Sequence, residues 1–181
     1  MDAERPFGNG WCLPAGLLRE ARQAAGRADL VILTRCPEAG RPDAPLPGKP
    51  LCCARHNLAD LLPLAGGEAL TFEALQGRKV VVFSGIAEPQ SFVDGLLRRG
   101  LHLSAVLSFP DHVVYNDARV AELESLIDSC GADFAITTEK DGVKLDHLPQ
   151  ETTAKILQAR LDLALDDPTP LTGLLCNLLQ K

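Results

Sequence analysis

Lys79-Val80-Val81-Val82-Phe83 is the run around which the rest of the chain is organised. It is short, continuous and β-branched, which is typical of a strand covered on both faces of a sheet. Ser84-Gly85 follows it, and Pro89 suits the first turn of a helix. We expect that helix to end at Gly100, after the basic pair Arg98-Arg99, because glycine and cations favour helix C-termini. A buried strand that leads directly into a helix favours a parallel sheet.

The same alternation of strand and helix continues toward the C-terminus. Strands are predicted at residues 102–109 and 134–137, with a helix between them over residues 116–131. This β-α-β-α-β order favours parallel strands joined by right-handed crossovers. Leucines recur at every second position over much of residues 157–165, which predicts a half-exposed edge strand, and a last helix is expected over residues 168–180. The expected fold class is α/β, an open, mostly parallel sheet with helices on both faces.

The N-terminal part of the chain has a weaker pattern. Residues 17–26 predict a short helix, and residues 28–33 predict a strand. Five prolines then fall within residues 37–50, which indicates a long connector because proline interrupts helices and central strands. We therefore expect a boundary there, between residues 1–50 and residues 51–181.

Composition and charge exclude several classes of protein. The 181 residues carry a net charge of −6, so we expect no function that depends on bulk attraction to nucleic acid. No run approaches the roughly 18 apolar residues of a transmembrane helix, and no apolar secretion signal follows the first residues. The six cysteines include no C-x-x-C pair, and the four histidines are not paired at ligand spacing. The sequence thus predicts reduced, partly buried thiols in a cytosolic protein rather than a zinc site.

Three polar clusters follow the predicted strands: Ser84-Gly85, Pro110-Asp111-His112 and Thr138-Glu139-Lys140-Asp141. Ligands bind outside the carboxyl ends of the strands in an open parallel sheet, so these clusters are expected on one rim. An imidazole beside a carboxylate can move a proton near neutral pH. Lys140 can pair with Glu139 or neutralise a phosphate.

Each cluster also has a structural interpretation. Asp111 can cap the turn after Pro110, and Thr138 with Asp141 can begin a helix. A single histidine such as His112 is common in purely structural roles. The expectation of a functional site depends on the predicted convergence of all three clusters at one edge.

A second candidate site lies near the N-terminus. The loop Phe7-Gly8-Asn9-Gly10 allows close approach of a ligand to the backbone, and the guanidinium of Arg19, next to Glu20, can bind phosphate with two hydrogen bonds. A surface turn followed by a solvated helix face explains the same residues. The chain contains no G-x-x-x-x-G-K-S/T motif, since its Gly48-Lys49 pair is followed by Pro50. We therefore expect no phosphate-binding loop within these residues.

The motifs together resemble those of the tetraacyldisaccharide 4'-kinases, the lipid A kinases of Gram-negative bacteria. The similar segments are residues 5–20 (FGNG-x-x-LPAGPLREP in the family), 84–92 (GIGNPERFF), 109–112 (FPDH) and 137–144 (TTEKDAVK). The chain departs from the family pattern at Ala21, at Ala87-Glu88 and at Gly142.

The resemblance covers the C-terminal half of such a kinase. It implies that residues 1–50 are a truncated, P-loop-kinase-like remnant of the N-terminal nucleotide-binding domain (loop, helix, strand and connector). Residues 51–181 are then a C-terminal α/β/α domain. The family's membrane-associating segment, P-loop, catalytic aspartate and acidic metal-binding motif have no counterpart in this sequence. We therefore expect residues 1–35 to expose apolar surface and the isolated chain to lack kinase activity.

The resemblance implies Mg²⁺- and ATP-dependent phosphorylation of the 4'-hydroxyl of tetraacyldisaccharide 1-phosphate, in the cytoplasm or at the cytoplasmic face of the inner membrane. A separate N-terminal half is the implied protein partner. The alternative is a non-catalytic α/β module or degenerate remnant that binds a partner or an acyl-sugar.

The resemblance also suggests roles for individual residues. His112 assists a catalytic aspartate that this sequence lacks, and Asp111 supports His112. Arg19, Glu20 and Asn9 lie on the nucleotide and metal side, and no metal ligand is assigned within this chain. The substrate or phosphate rim comprises Ser84, Thr138, Glu139, Lys140 and Asp141.

Overall fold

The computed structural model describes residues 1–37, 40 and 42–180. The strands are β1 (Val31–Leu33), β2 (Leu51–Pro63), β3 (Val80–Ser84), β4 (Leu103–Ser108), β5 (Phe134–Thr138) and β6 (Ile156–Leu165). The α-helices are α1 (Pro89–Arg98), α2 (Asp117–Cys130), α3 (Glu139–Gly142), α4 (Gln150–Thr153) and α5 (Thr169–Leu179). Short 3-10 helices cover Arg22–Arg27 and Phe72–Leu75. Among the described residues, no helix combines the length and the apolar character needed to cross a membrane.

The chain folds into two compact units, and their limits differ from the boundary expected at residue 50. One unit contains residues 58–162; the other contains residues 1–57 and the segment that begins at Leu163. Residues 51–57 belong to the unit that contains the N-terminus, because β2 pairs in parallel with β1. The C-terminal segment returns to β2, where the Asp166 N–H donates to the Cys53 carbonyl at 2.9 Å.

The unit of residues 58–162 contains the parallel sheet that the sequence predicts. β5 pairs in parallel with both β3 and β6, and β3 pairs in parallel with β4. Every residue of β3 is buried. Val80 and Val82 belong to a core cluster with α1, whereas Val81 and Phe83 belong to one with α2. Helices therefore cover both faces of the sheet, and the expected α/β class is confirmed.

Helix α2 illustrates why the predictions for this unit are accurate. The Asn116 side chain accepts a hydrogen bond from the Arg119 N–H at 3.1 Å and so caps the helix. Gly131 ends the helix in a left-handed conformation, with φ of 56°. Both signals are local, so the sequence alone locates the ends of the helix.

The prediction that β6 is an edge strand is wrong. In the sheet β6 lies between β5 and β2. Its first half is buried, whereas the side chains of Leu161 and Leu163 are exposed. Alternation of residue type reports which face of a strand is covered, but edge position depends on the neighbouring strands. The neighbour β2 has a mixed sequence without regular alternation, and the sequence analysis assigned it no element.

The helix predicted at residues 17–26 is confirmed only in its second half, as the 3-10 helix Arg22–Arg27, and the strand predicted at 28–33 is shortened to Val31–Leu33. The Leu13 N–H donates to the Leu18 carbonyl and the Leu18 N–H to the Trp11 carbonyl, at 2.9 and 3.2 Å. These bonds close a loop that prevents Leu17 and Leu18 from beginning a helix. As expected, apolar side chains here are exposed, including Trp11, Leu13 and Leu17.

The expected connector and the expected buried thiols are consistent with the structure. Residues 38, 39 and 41 of the connector lie outside the described residues, and the described residues from 37 to 50 form neither helix nor strand. Cys36, Cys52 and Cys53 are buried, which confirms that several thiols are inside the protein.

Candidate functional site

The turns that follow β4 and β5 meet at one place in the unit of residues 58–162. The Lys140 Nζ lies 2.9 Å from Asp111 Oδ1, and the His112 Nε2 lies 3.6 Å from Asp111 Oδ2. The His112 backbone N–H also donates to Asp111 Oδ1 at 2.9 Å. We call Asp111, His112 and Lys140 the Asp111 cluster. The structure thus brings together residues from two of the three polar motifs.

The Asp111 cluster is accessible to a ligand. The side chain of His112 is 79% exposed and that of Asp111 is 36% exposed. The hydrogen bond from Lys140 holds the pKa of Asp111 below its ordinary value, and the His112 backbone N–H adds to this effect. Asp111 is therefore an anion at neutral pH. His112 has a left-handed backbone, with φ of 61°, which is uncommon for a residue with a side chain.

Asp141 lies beneath this cluster with no exposed surface. Its Oδ2 accepts hydrogen bonds from the Gly85 N–H at 2.8 Å and from the Thr138 hydroxyl at 3.0 Å. Its Oδ1 lies 2.8 Å from Lys144 Nζ. We call Gly85, Thr138, Asp141 and Lys144 the Asp141 anchor. It joins the turn after β3 to the turn after β5.

The other residues predicted at the rim have structural contacts. Ser84 is buried, and the Glu139 Oε2 accepts a hydrogen bond from the Leu161 N–H at 2.9 Å. The Thr138 hydroxyl accepts from the Asp141 N–H at 3.2 Å and so caps α3, as the structural interpretation suggested. Within the described residues, Lys140 is the member of the Thr138–Asp141 motif that contacts Asp111.

Two residues that sequence reasoning missed complete this region, Lys144 and Tyr115. The Tyr115 ring meets Phe83 and Phe109 edge-on, with ring centres 5.9 and 5.5 Å apart. Burial, together with the charge of Asp141, raises the pKa of Tyr115, so the phenol is neutral. The Lys144 Nζ lies 5.9 Å from the centre of the same ring. The three-residue spacing of Asp141 and Lys144 was the available signal for this ion pair.

The second candidate site lies in the unit that contains the N-terminus. A cavity of about 470 Å³ is lined by Arg19, Glu20, Arg22 and Arg27, together with apolar residues such as Phe7. The Glu20 Oε2 lies 2.6 Å from the Arg27 guanidinium, whose hydrogen bond lowers the pKa of Glu20. Three guanidinium groups beside one carboxylate suit a ligand with phosphate oxygens.

Asn9 acts within its own loop. Its Oδ1 accepts from the Trp11 N–H and its Nδ2 donates to the Ala15 carbonyl, both at 3.2 Å. A Cβ at Gly16 would lie 2.3 Å from Asn9 Oδ1, so the loop requires glycine at that position. No cluster of three or more His, Cys, Asp and Glu side chains suited to a metal occurs in the described part of the chain.

Comparisons with a family model and with solved structures identify the same family. The family model described as tetraacyldisaccharide-1-P 4'-kinase (LpxK) matches residues 1–180. A crystal structure of LpxK from Aquifex aeolicus, described as an "apo" form in complex with ATP, matches this fold with a TM-score of 0.69 and 28% identity. That match covers 93% of this chain and 48% of the other.

Curated relatives agree with the family model. Tetraacyldisaccharide 4'-kinase of Pelobacter propionicus is 55% identical over all 181 residues, which correspond to 50% of that protein. The enzyme of Geobacter metallireducens is 46% identical over 171 residues, 94% of this chain and 50% of the relative. The chain spans about half the length of these relatives. With the family model matched over residues 1–180, the chain belongs to the tetraacyldisaccharide 4'-kinase family.

Proposed function

We propose that this chain is part of a lipid A 4'-kinase that transfers the γ-phosphoryl group of ATP to the 4'-hydroxyl of tetraacyldisaccharide 1-phosphate. The Lys140–Asp111–His112 contact supports the proposal most directly. It places an exposed imidazole beside a carboxylate that stays anionic, and such a pair can assist removal of a hydroxyl proton. An acceptor hydroxyl that attacks phosphorus must lose its proton, so the cluster fits the acceptor side of the reaction.

Each member of the Asp111 cluster has a distinct role in this proposal. His112 assists removal of the proton from the 4'-hydroxyl, together with a catalytic aspartate from the rest of the kinase. Asp111 stabilises the imidazolium that forms, and Lys140 orients the Asp111 carboxylate through their hydrogen bond. The 4'-oxygen forms a bond to the γ-phosphorus as the bond from that phosphorus to the bridging oxygen of ADP breaks. Positioning and charge stabilisation are the main contributions that a protein makes to phosphoryl transfer.

The nucleotide side of the proposal depends on the arginine-lined cavity. Bound ATP supplies the phosphoryl group, and the guanidinium of Arg19, with those of Arg22 and Arg27, fits phosphate oxygens. Glu20 orients Arg27 through their ion pair. Mg²⁺ receives no ligand from the described residues in this proposal. The acceptor carries four acyl chains, so the reaction takes place at a membrane surface, which by the family resemblance is the cytoplasmic face of the inner membrane.

The isolated 181-residue chain is expected to form no phosphorylated disaccharide from ATP. It has no phosphate-binding loop, and a kinase without one loses the charge stabilisation of the transferred group. A phosphorylation assay with labelled ATP and the disaccharide acceptor tests this. ATP-dependent product from the purified chain would contradict the incompleteness that we infer.

A chimera tests the function itself. Residues 1–180 replace the matching half of the Pelobacter propionicus enzyme, which is 55% identical over this chain. We expect the chimera to phosphorylate the disaccharide and His112→Ala to lower kcat by about 100-fold or more, the usual scale for a lost acid–base group.

His147 provides a matched control, because it also follows an aspartate in an Asp-His pair. His147→Ala should leave kcat unchanged. A folded chimera without activity, or one in which the two histidine variants behave alike, would contradict the proposal.

A further inference from the structure

We propose that Asp141 is a positioning residue, whose buried carboxylate holds in place the turns that carry His112 and Lys140. Asp141 has no exposed surface, so it contacts no substrate. Its proposed effect on catalysis rests on the function proposed above for His112. Its effect on the structure of the turns can be measured without any kinase activity.

Both oxygens of the Asp141 carboxylate accept hydrogen bonds from the protein. Oδ2 accepts from the Gly85 N–H and the Thr138 hydroxyl, and Oδ1 pairs with Lys144. A buried carboxylate is costly unless charge and hydrogen bonds compensate for its lost hydration. These donors have little freedom to move, because displacement of any one leaves the buried charge less well compensated. The turn after β3 is thereby held against the turn after β5.

Gly85 transmits this constraint to the turn that carries His112. A Cβ at Gly85 would lie 2.2 Å from Val113 Cγ1, so Val113 packs directly on the Gly85 backbone. Val113 follows His112, whose φ of 61° is sterically unfavourable for a residue with a Cβ. Such a backbone persists only where its surroundings hold it. The contact between Gly85 and Val113 supplies that support on one side.

Lys140 transmits the constraint on the other side. It is adjacent to Asp141 in α3, and the cap that Thr138 forms on the Asp141 N–H fixes the start of that helix. From there the Lys140 Nζ reaches Asp111 Oδ1 at 2.9 Å. The turn that holds Asp111 and His112 is therefore held twice, by Val113 on Gly85 and by Lys140 on Asp111. Both supports involve the Asp141 carboxylate, because it accepts from the Gly85 N–H and from the same Thr138 hydroxyl that caps α3.

The test is Asp141→Asn in the full 181-residue chain, followed by backbone amide NMR. Asparagine keeps the size of the side chain but removes the charge that pairs with Lys144. We expect the Gly85 amide to lose protection from hydrogen exchange, and the amide signals of His112 and Val113 to shift. A folded variant with changes confined to residues 138–144 would overturn the proposal.

Asp146→Asn is the matched control, because Asp146 also stands close to a lysine in sequence and beside a histidine, but its side chain is 82% exposed. It should leave the signals of Gly85, His112 and Val113 unchanged. A general loss of stability would not move these signals selectively in the folded state. An equal shift in both variants would contradict a specific role for Asp141.

Thr138→Val keeps the proposal testable if Asp141→Asn does not fold. It removes the hydroxyl that donates to the Asp141 carboxylate and caps the Asp141 N–H. The ion pair with Lys144 remains, so the same signals should shift by smaller amounts. Unchanged His112 and Val113 signals in this variant would overturn the proposal.

Kinetics of the chimera separate this inference from the proposed function. Thr138→Val should lower kcat and leave KM for ATP unchanged, because the displaced turn carries no group assigned to ATP. If the NMR shifts occur but the unsubstituted chimera is inactive, the proposed function fails and the positioning of His112 by Asp141 stands. If the His112 amide signal shifts in Thr138→Val but kcat of the chimera is unchanged, the proposed effect of Asp141 on catalysis is contradicted.

Discussion

This chain has two Asp-His pairs of similar sequence, and one contact, the hydrogen bond from Lys140 to Asp111, distinguishes them. Asp111-His112 and Asp146-His147 have the same order, and both histidines are exposed. Asp146 is 82% exposed, whereas Asp111 receives a hydrogen bond from Lys140. The difference lies in a residue 29 positions away. The sequence led us to select Asp111 because it follows a predicted strand, and the structure adds the lysine contact.

Lys140→Met should raise the pKa of Asp111, because the hydrogen bond from Lys140 is the largest of the effects that lower it. Carboxyl-carbon NMR of the folded chain between pH 2 and about 6 measures the titration. The pKa of Asp111 is depressed on folding, so its contribution to stability is present above its ordinary value of 3.8 and is lost as the pH falls through the folded value. The variant should therefore lose less stability on acidification than the natural chain. An unchanged Asp111 midpoint would refute the assigned cause.

Gly142 shows how the chain accommodates a departure from its family. The similar family motif has alanine at this position, and a Cβ here would lie 2.4 Å from Gln158 Oε1. Gln158 belongs to β6, which pairs with β5 next to this turn. The absence of a side chain at residue 142 leaves room for the Gln158 amide, so the two positions are sterically linked.

At the scale of elements, β3, α1, β4, α2 and β5 could be predicted because each carries its own local signals. Proline lies in the first turn of α1, and Gly131 ends α2 in the left-handed region. β2 could not be predicted, since its mixed sequence becomes a strand only through its neighbours in the sheet, β1 and β6. β6 was found but misplaced in the sheet, because residue alternation carries no information about neighbouring strands.

Two leucines of β6 allow a measurement of how much of this strand is buried. Leu157 is 1% exposed and lies in the core cluster with α1, whereas Leu161 is 52% exposed. Leu157→Ala should lower the free energy of unfolding by about 2–5 kcal/mol, because it leaves a cavity in a packed core. Leu161→Ala should change it by less than about 0.5 kcal/mol. Urea unfolding of both variants provides the measurement. Equal losses of unfolding free energy would show that Leu157 and Leu161 are equally buried, as expected if alternation alone decided which face of β6 is covered.

At the scale of the whole molecule, the two units have very different cores. The unit of residues 58–162 contains two extended buried clusters, one beside α1 and one beside α2. The buried cluster described for the other unit comprises Val31, Leu33, Cys36 and Cys53. Buried apolar area is the main favourable contribution to folding, so local stability should differ between the units.

Hydrogen exchange at increasing urea concentrations should detect this difference. We expect the amides of β3 and β5 to exchange only through global unfolding, and those of β1 to exchange at lower urea through local opening. The amides of α2 offer an internal reference within the larger unit. Uniformly slow exchange across residues 1–35 would contradict this expectation.

The amino-acid pattern alone established the α/β class, the β-α-β-α-β order and the turns that carry Asp111, His112 and Lys140. Those features arise from side chains a few residues apart, such as the Asn116 cap and the Gly131 terminus of α2. Only the folded chain determined that Asp141 is buried against Gly85, 56 positions away, and that β6 lies inside the sheet. These features depend on contacts between distant segments, and such contacts form only when the chain packs around a shared core, which no local pattern of residues specifies.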